Sequence, residues 1–336
     1  MITQHRKRLA AILLTALLAV ASLTGCVSSS APGAQTETSA GAWTFTDDTG
    51  RTVTLDHRPE RVAAFTDYAI GLLSYGIEPA AIFGRVDVAS DPRLQPYDIS
   101  AAAIVGNSYG EIDLEALAAA QPDLIITGIY PTDRSGKLDT GQPYYGFADL
   151  DQQKQLEKIA PIVAIKVGGA GIEVINSTNR LAEALGVPAD TIAAAKEKFD
   201  AAAADLSAAA KESDVEVTQM YADAEGVYVV KPADEPETQL YSTYGVTFTD
   251  LHPDGDYYWD RYSWENASQM MTGDVLLTNI EGLQADDLTK QPTFADHPAL
   301  KAGQVHTWNG DAMNYASQAE HMTELAQILR ESTKVR

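Results

Sequence analysis

The stretch from Gly171 to Lys211 has the sequence GIEVINSTNRLAEALGVPADTIAAAKEKFDAAAADLSAAAK. It is rich in alanine, the residue with the highest helix propensity. A break at Gly186-Val187-Pro188 divides it, and Asp190 is well placed to cap the second half. Apolar residues recur at helical spacing on both sides of the break, namely Val174, Leu181, Leu185, Ile192, Phe199 and Leu206. The stretch therefore predicts a helical connector in the middle of the chain.

Short apolar runs alternate with helical patterns on both sides of this connector, and Trp43 to Arg61 has the pattern of a hairpin. The predicted strands are Val62–Phe65, Ala80–Phe83, Ala103–Val105, Leu124–Thr127 and Ile162–Ile165 before it, and Val215–Met220, Val227–Val230, Val246–Phe248, Val275–Thr278 and Val305–Thr307 after it. Such alternation favours mostly parallel sheets covered by helices. We therefore predict an α/β fold of two lobes, and a cleft between two lobes is a common ligand site.

The amino terminus has the pattern of an export signal. Three basic residues, at positions 6–8, precede the apolar run Leu9–Leu23, which is too short for a comfortable membrane span. Leu23-Thr24-Gly25-Cys26 resembles a bacterial lipobox, which implies removal of residues 1–25 and lipidation of Cys26, the only cysteine of the chain. The alternative is an ordinary secretory signal with a chance cysteine at its end. Residues 26–42 are mostly Ser, Ala, Gly and Thr and predict a flexible tether.

The chain is strongly acidic. Its formal charge of −23 becomes −26 when residues 1–25, whose charged residues are Arg6, Lys7 and Arg8, are removed. This charge argues against binding nucleic acid and against lying flat on an anionic membrane. About 290 residues remain for the folded part, enough for two domains with their own cores.

Three segments together carry a family resemblance. They are Asp113–Leu117 with Gln121–Ile126, Ser263–Asn266 with Gly273–Leu277, and His297–Val305. In this order they resemble the binding proteins of ABC importers for ferric siderophores and cobalamin. The resemblance implies two lobes, residues 43–166 and 190–336, joined by one long bridging helix within residues 167–189. It also implies a lipid-anchored protein on the extracytoplasmic face of the cell membrane that delivers its solute to an ABC permease dimer with its ATPase.

Glu115 and Glu265 follow the expected capping residues Asp113 and Ser263, in the first turns of two predicted helices. Acidic residues favour helix N-termini for local electrostatic reasons, which would by itself explain either glutamate. In the family that the sequence resembles, matching positions carry one exposed glutamate per lobe that pairs with permease arginines. The resemblance therefore implies that Glu115 and Glu265 dock the permease.

Ligand contacts are expected from loops at the carboxyl ends of the strands. The predicted contact residues are Tyr68, Arg85, Tyr109 and Tyr130 in the first lobe and Tyr228, Trp259, Arg261, Tyr262 and Trp308 in the second. Tyrosine, which outnumbers phenylalanine 15 to 7, suits a bulky amphiphilic ligand. Arg85 and a loop at Trp259–Tyr262 are expected to clamp an anionic chelate. The alternative is that much of Tyr257–Trp264 packs on its own lobe.

The sequence offers no pattern for a bare metal site or a catalytic centre. His57, His252, His297, His306 and His321 lack ligand spacing, and neither a nucleophile elbow nor a phosphate loop is present. We therefore expect a binding protein without a cofactor, whose iron arrives already chelated in a siderophore. A mixed aromatic pocket with a single arginine favours a siderophore of the hydroxamate type. The alternatives are a cobalamin or haem binding protein of the same fold, an exported enzyme, or a structural lipoprotein.

Overall fold

The computed structural model describes residues 42–310 and 312–336. The predicted signal peptide, the lipidation site at Cys26 and all but the last residue of the predicted tether lie outside these residues. Among the helices that are described, none is both long and apolar enough to cross a membrane.

The first lobe begins with the predicted hairpin and continues into a parallel sheet. The strands are β1 (Trp43–Thr46), β2 (Thr52–Leu55), β3 (Val62–Phe65), β4 (Ala81–Phe83), β5 (Ala103–Gly106), β6 (Leu124–Ile129) and β7 (Ile162–Lys166). The helices are α1 (Thr66–Leu73), α2 (Leu114–Ala120) and α3 (Leu150–Leu156). The sheet order is β5-β4-β3-β6-β7, and every pairing in it is parallel. All residues of β3 and β6 are buried, as expected for central strands covered on both faces.

Two helices, α4 (Gly171–Ala184) and α5 (Ala189–Glu212), lead from the first lobe to the second. The predicted cap of α5 is wrong. Its N-cap is Pro188, and Asp190 lies inside the first turn, where its carboxylate accepts from the N–H of Thr191. The helix begins early because proline fixes a backbone angle that is compatible with the helix start.

The start of α4 is in close contact with the second lobe. A Cβ on Gly171 would lie 2.1 Å from the carbonyl oxygen of Pro236, so only glycine allows this approach. The N–H of Gly171 also donates to Gln239 Oε1 at 2.9 Å. At the other end of α4, the indole N–H of Trp43 donates to the carbonyl of Ala184. The helix therefore packs against both lobes.

The second lobe contains a mixed sheet. Its strands are β8 (Val217–Ala222), β9 (Gly226–Val230), β10 (Trp259–Ser263), β11 (Val275–Asn279) and β12 (Val305–Trp308). Its helices are α6 (Pro236–Thr243), α7 (Ala285–Leu288), α8 (Pro298–Ala302) and α9 (Tyr315–Glu331). The order is β10-β9-β8-β11-β12, with β8, β11 and β12 parallel and β9 and β10 antiparallel to their neighbours. The two sheets confirm the predicted class of two mostly parallel α/β lobes.

Two predictions for the second lobe are wrong. Residues 246–248 form no strand and contribute one isolated bridge, between Phe248 and Val217. The predicted loop at Trp259–Tyr262 is instead the edge strand β10, paired with β9. Its side chains alternate in burial, and the inward Asp260 is accommodated because its carboxylate pairs with Lys231 at 3.2 Å.

Candidate ligand-binding cleft

A cavity of about 490 Å³ lies between the two lobes. Several of its lining residues follow or end strands of the two sheets, namely Arg85, Val86, Tyr130, Val167, Asn279 and Trp308. The carboxyl edge of such sheets is where α/β proteins bind ligands. The volume is typical of sites for small organic molecules.

Aromatic rings form a continuous wall across this cleft. Tyr130 of the first lobe lies with its ring centroid 4.9 Å from that of Tyr145 and 6.3 Å from that of Tyr258 in the second lobe. Trp259 continues the wall at 5.1 Å from Tyr258. Burial, with the neighbouring phenols, raises the pKa of Tyr130 well above its usual value, so this hydroxyl remains a hydrogen-bond donor. The wall can therefore stack on flat or amphiphilic groups and donate to their oxygens.

Tyr258 has a left-handed backbone, with a φ of 73°, which is unusual for a tyrosine. Its N–H donates to Asp234 Oδ2 at 3.1 Å, and its carbonyl accepts from the N–H of Lys231 at 3.0 Å. Asp234 in turn receives both Nε and Nη2 of Arg134, a first-lobe residue, at 2.8 Å each. This ion pair between the lobes holds the strained segment, and strain of this kind is common at binding sites.

Arg85 lines the cavity, but its charge is already matched. Its Nε donates to Glu281 Oε2 at 2.6 Å and its Nη1 to Asp67 Oδ2 at 2.8 Å, so it too joins the lobes. Behind it the fully buried Arg93 pairs with Asp67 at 2.9 Å, Asp91 at 2.7 Å and Glu281 at 2.5 Å. Two arginines therefore face three carboxylates, and this part of the cleft has no surplus positive charge.

A second buried polar group lies at the start of α6. The carboxylate of Glu237 accepts from Trp308 Nε1 at 2.8 Å and from Gln318 Nε2 at 3.0 Å, and it pairs with His321 Nδ1 at 3.1 Å. Although burial opposes its ionisation, these partners lower the pKa of Glu237. Glu235, the N-cap of α6, behaves in the opposite way, because burial and the charge of Glu237 raise its pKa to about 7.

The structure brings together several of the residues predicted from the sequence. The predicted contact residues that line the cavity are Arg85, Tyr130, Trp259 and Trp308. Tyr68 lies beside them and lines a smaller adjoining cavity with Tyr130. Trp308 is only 2 % exposed. Its ring forms part of the buried wall of the cleft, and its indole N–H donates to Glu237.

The remaining predicted contact residues do not line this cavity. Tyr109 is 51 % exposed and packs on Tyr145 at its rim, with ring centroids 5.3 Å apart. Tyr228 supports the cleft from behind, since its ring lies 5.7 Å from Tyr221 and 6.3 Å from Trp259. Exposed Arg261 and buried Tyr262 belong to β10, where Arg261 lies over the Tyr228 ring and Tyr262 contacts His252.

Several cavity residues are not among the predicted contact residues. They are Tyr145, Tyr221, Tyr257 and Tyr258 among the aromatic residues, and Gln219, Glu235 and Glu281 among the polar ones. The Tyr257-Tyr258-Trp259 run was a usable signal, because consecutive aromatic residues before a strand cannot all enter one core. The polar residues gave no local signal.

The two predicted docking glutamates are both exposed. Glu115 lies in the first turn of α2, whose N-cap Asp113 accepts from the N–H groups of Glu115 and Ala116. Glu265 does not begin an α-helix as predicted, and lies in a turn between β10 and a short 3₁₀ helix at Ala267–Met270. Within the described part of the chain, no three His, Cys, Asp or Glu side chains gather as a metal site.

Comparison with solved structures identifies proteins of similar fold. DesE, a ferric-siderophore receptor protein from Streptomyces coelicolor, is 28 % identical with a TM-score of 0.77, covering 88 % of this chain and 100 % of its own. The siderophore periplasmic binding protein from the fuscachelin gene cluster of Thermobifida fusca is 25 % identical, with a TM-score of 0.60 and coverage of 81 % and 96 %. SirA of Staphylococcus aureus, complexed with staphyloferrin B, shares the fold at 16 % identity, a TM-score of 0.58 and coverage of 87 % and 99 %.

The family comparison covers most of the folded chain. Residues 62–312 match the model of the periplasmic binding protein family, and comparison with curated proteins gives no match. The matched segment contains both sheets and nearly every residue of the cleft. The chain therefore belongs to the periplasmic binding protein family and is a substrate-binding protein rather than an enzyme.

Proposed function

We propose that this protein captures a ferric siderophore in the cleft between its lobes and delivers it to an ABC importer. The observation that carries the proposal is the cleft itself, a cavity of about 490 Å³ with an aromatic wall contributed by both lobes. Support comes from the similarity to ferric-siderophore receptor DesE, all of whose length is covered at 28 % identity. An organic chelator would supply every iron ligand, so the protein needs only to bind the shell of the complex.

The charge of the cleft favours a hydroxamate siderophore. A ferric tris-catecholate carries three negative charges and needs several cations, since a buried charge without a partner is strongly unfavourable. Among the described cavity residues the cation is Arg85, which is already paired with Asp67 and Glu281. A ferric tris-hydroxamate has a neutral iron centre and suits this cleft better.

Fluorescence titration with a panel of ligands tests the proposal. Trp259 and Trp308 line the cavity, so a bound coloured iron complex should quench tryptophan emission. The panel contains a linear ferric hydroxamate, a ferric catecholate, cobalamin, haem, free Fe³⁺ and the iron-free hydroxamate. We expect saturable quenching by the ferric hydroxamate at micromolar concentration or below. Free Fe³⁺ and the iron-free hydroxamate should bind more weakly. Strong binding of cobalamin or haem with no response to any ferric siderophore would refute it.

We also propose that lipid on Cys26 anchors the protein to the extracytoplasmic face of the membrane. The support is the lipobox-like sequence Leu23–Cys26 and the Ser/Ala/Gly-rich segment after it. Cys26→Ala should release the protein from membranes and leave ligand affinity unchanged. A variant that stays membrane-bound after a high-salt wash would contradict the anchor.

For delivery, we propose that Glu115 and Glu265 contact the permease dimer, one from each lobe. Both are exposed, and neither lines the cavity. Charged interface residues act on association, and truncating one partner of an interfacial charge pair can cost about 2–5 kcal/mol of binding free energy. The double variant Glu115→Ala, Glu265→Ala should keep the dissociation constant of the ligand within about threefold and reduce uptake at limiting protein. Normal uptake by the double variant would rule out this role.

A further inference from the structure

The second-lobe wall of the cleft contains hydrogen-bond acceptors whose capacity is not filled by donors of the protein. Glu235 and Gln219 both line the cavity, on the loop before α6 and on β8. Gln219 Oε1 is buried and has no hydrogen-bond partner among the described residues. A buried acceptor without a donor is destabilising. A ligand that brings an N–H or O–H group to this wall would remove that penalty.

Glu235 differs from the other carboxylates of the cavity in its partners. Glu281 has Arg85 and Arg93, and Glu237 has His321. The carboxylate of Glu235 accepts instead from uncharged groups, the N–H of Glu237 at 3.0 Å and the N–H and hydroxyl of Thr238 at 2.7 and 3.0 Å. No described lysine, arginine or histidine forms an ion pair with it. These three bonds leave acceptor capacity on the carboxylate, which has about four lone-pair sites.

We propose that the ligand carries a protonated amine that binds Glu235, with a further donor of the ligand meeting Gln219. This inference rests on the proposed function and narrows it to ferric hydroxamates with a cationic group outside the iron centre. A buried carboxylate is favourable only when a cation is paired with it. The protein supplies the carboxylate of Glu235 without a cation, so the ligand would supply the ammonium group. The raised pKa of Glu235, caused by burial and by Glu237, agrees with a carboxyl group that lacks its counter-charge.

A matched pair of ligands tests this directly. Ferrioxamine B has a free terminal amine, and its N-acetyl derivative has the same iron centre without the charge. At pH 7.4 we expect wild-type protein to bind the amine form at least tenfold more tightly than the acetylated form. Glu235→Gln should weaken binding of the amine form about tenfold and change the acetylated form less than threefold. Glu212→Gln, an exposed carboxylate at the end of α5, is the control and should change neither.

The outcomes separate this inference from the proposed function. Equal affinity of wild-type protein for the two forms would overturn the inference and leave siderophore binding intact. Equal weakening of both forms by Glu235→Gln would also overturn it, because the glutamate would then act through structure alone. No binding of either ferric hydroxamate would overturn both this inference and the hydroxamate proposal. Because Glu235 also caps α6, the two ligands on wild-type protein decide the question if the variant fails to fold.

Discussion

Replacing Arg85 with methionine should destabilise the protein by about 3 kcal/mol. The change removes two charge-assisted hydrogen bonds, to Glu281 at 2.6 Å and to Asp67 at 2.8 Å. Each such bond contributes about 1.5–3 kcal/mol, and breaking a buried pair on one side costs about 3–5 kcal/mol. The Arg85 side chain is 18 % exposed and both acids are 10 % exposed, which places the loss near the lower end of that range. Arg93 remains as the cation for both carboxylates, which is a second reason for the loss to lie at this lower end.

The assay is thermal and urea unfolding of the empty protein, followed by circular dichroism. A domain of this size shifts its Tm by roughly 2 °C per kcal/mol, so we expect a decrease of about 6 °C. Arg330→Met is the matched control. Its ion pair with Asp205 is as short, at 2.6 Å, but the two side chains are 40 % and 47 % exposed. Exposed pairs contribute about 0–1 kcal/mol, so this variant should shift the Tm by no more than about 2 °C.

A double-mutant cycle with Glu281→Gln measures the contact between the lobes itself. We expect a coupling free energy of about 1.5–3 kcal/mol between Arg85 and Glu281, within the range for residues in one ionic network. The opposite role would be that of a ligand clamp, in which Arg85→Met weakens ligand binding strongly and leaves stability nearly unchanged. A stability loss below about 1 kcal/mol, or a coupling energy near zero, would refute an ion pair that joins the lobes.

Three further predictions concern the cleft. Tyr258→Gly should be more stable than Tyr258→Ala by about 1 kcal/mol in urea unfolding, because glycine adopts a positive φ without strain. Both variants should weaken ligand binding through loss of the ring, and equal stability of the two would mean that the backbone relaxes. The free energy of unfolding should fall by roughly 2–3 kcal/mol between pH 5 and pH 7.5, relative to Glu235→Gln. The folded Glu235 carboxyl keeps its proton up to about pH 7 whereas the unfolded one releases it near 4.5, so the folded state binds more protons in this window. Parallel plots of stability against pH for the two proteins would contradict the raised pKa. Scattering profiles of ligand-free and ferrioxamine-loaded protein should nearly coincide, because the ion pairs Arg85–Glu281 and Arg134–Asp234 join the lobes. A clear decrease in the radius of gyration on loading would show that these pairs do not limit closure.

The secondary structure was largely predictable because its causes are local. Apolar runs of three to six residues correctly locate nine of the ten predicted strands, and Asp113 caps α2 as its side-chain chemistry favours. The edge strand β10 was missed because its sequence, Trp259-Asp260-Arg261-Tyr262-Ser263, has charged residues on both faces. Its inward aspartate is stabilised by Lys231, a partner that lies 29 positions earlier.

The cleft was predictable only in outline because its polar contacts join residues far apart in the chain. The position of Arg85 after a strand places it correctly at the cleft, but its partner Glu281 lies 196 positions away. Arg134 and Asp234 are 100 positions apart and showed no local pattern. Such contacts set the side-chain orientation of loop residues such as Tyr258, whereas the pleat of the sheet sets that of strand residues. The sequence therefore predicts the kinds of side chain in the cleft and not their pairing.

The contacts between the lobes and the proposed ligand charge follow from the same distribution of ions. Arginines of the first lobe match the second-lobe acids Asp234 and Glu281, and Glu235 is left with neutral donors. An anionic chelate would have to draw Arg85 away from Asp67 and Glu281, which would leave two carboxylates at the cleft short of positive charge. A chelate with an ammonium group would leave these ion pairs intact and supply the one cation that the second-lobe wall lacks. The arginine that suggested an anionic ligand in the sequence thus favours, once its partners are known, a neutral or cationic one.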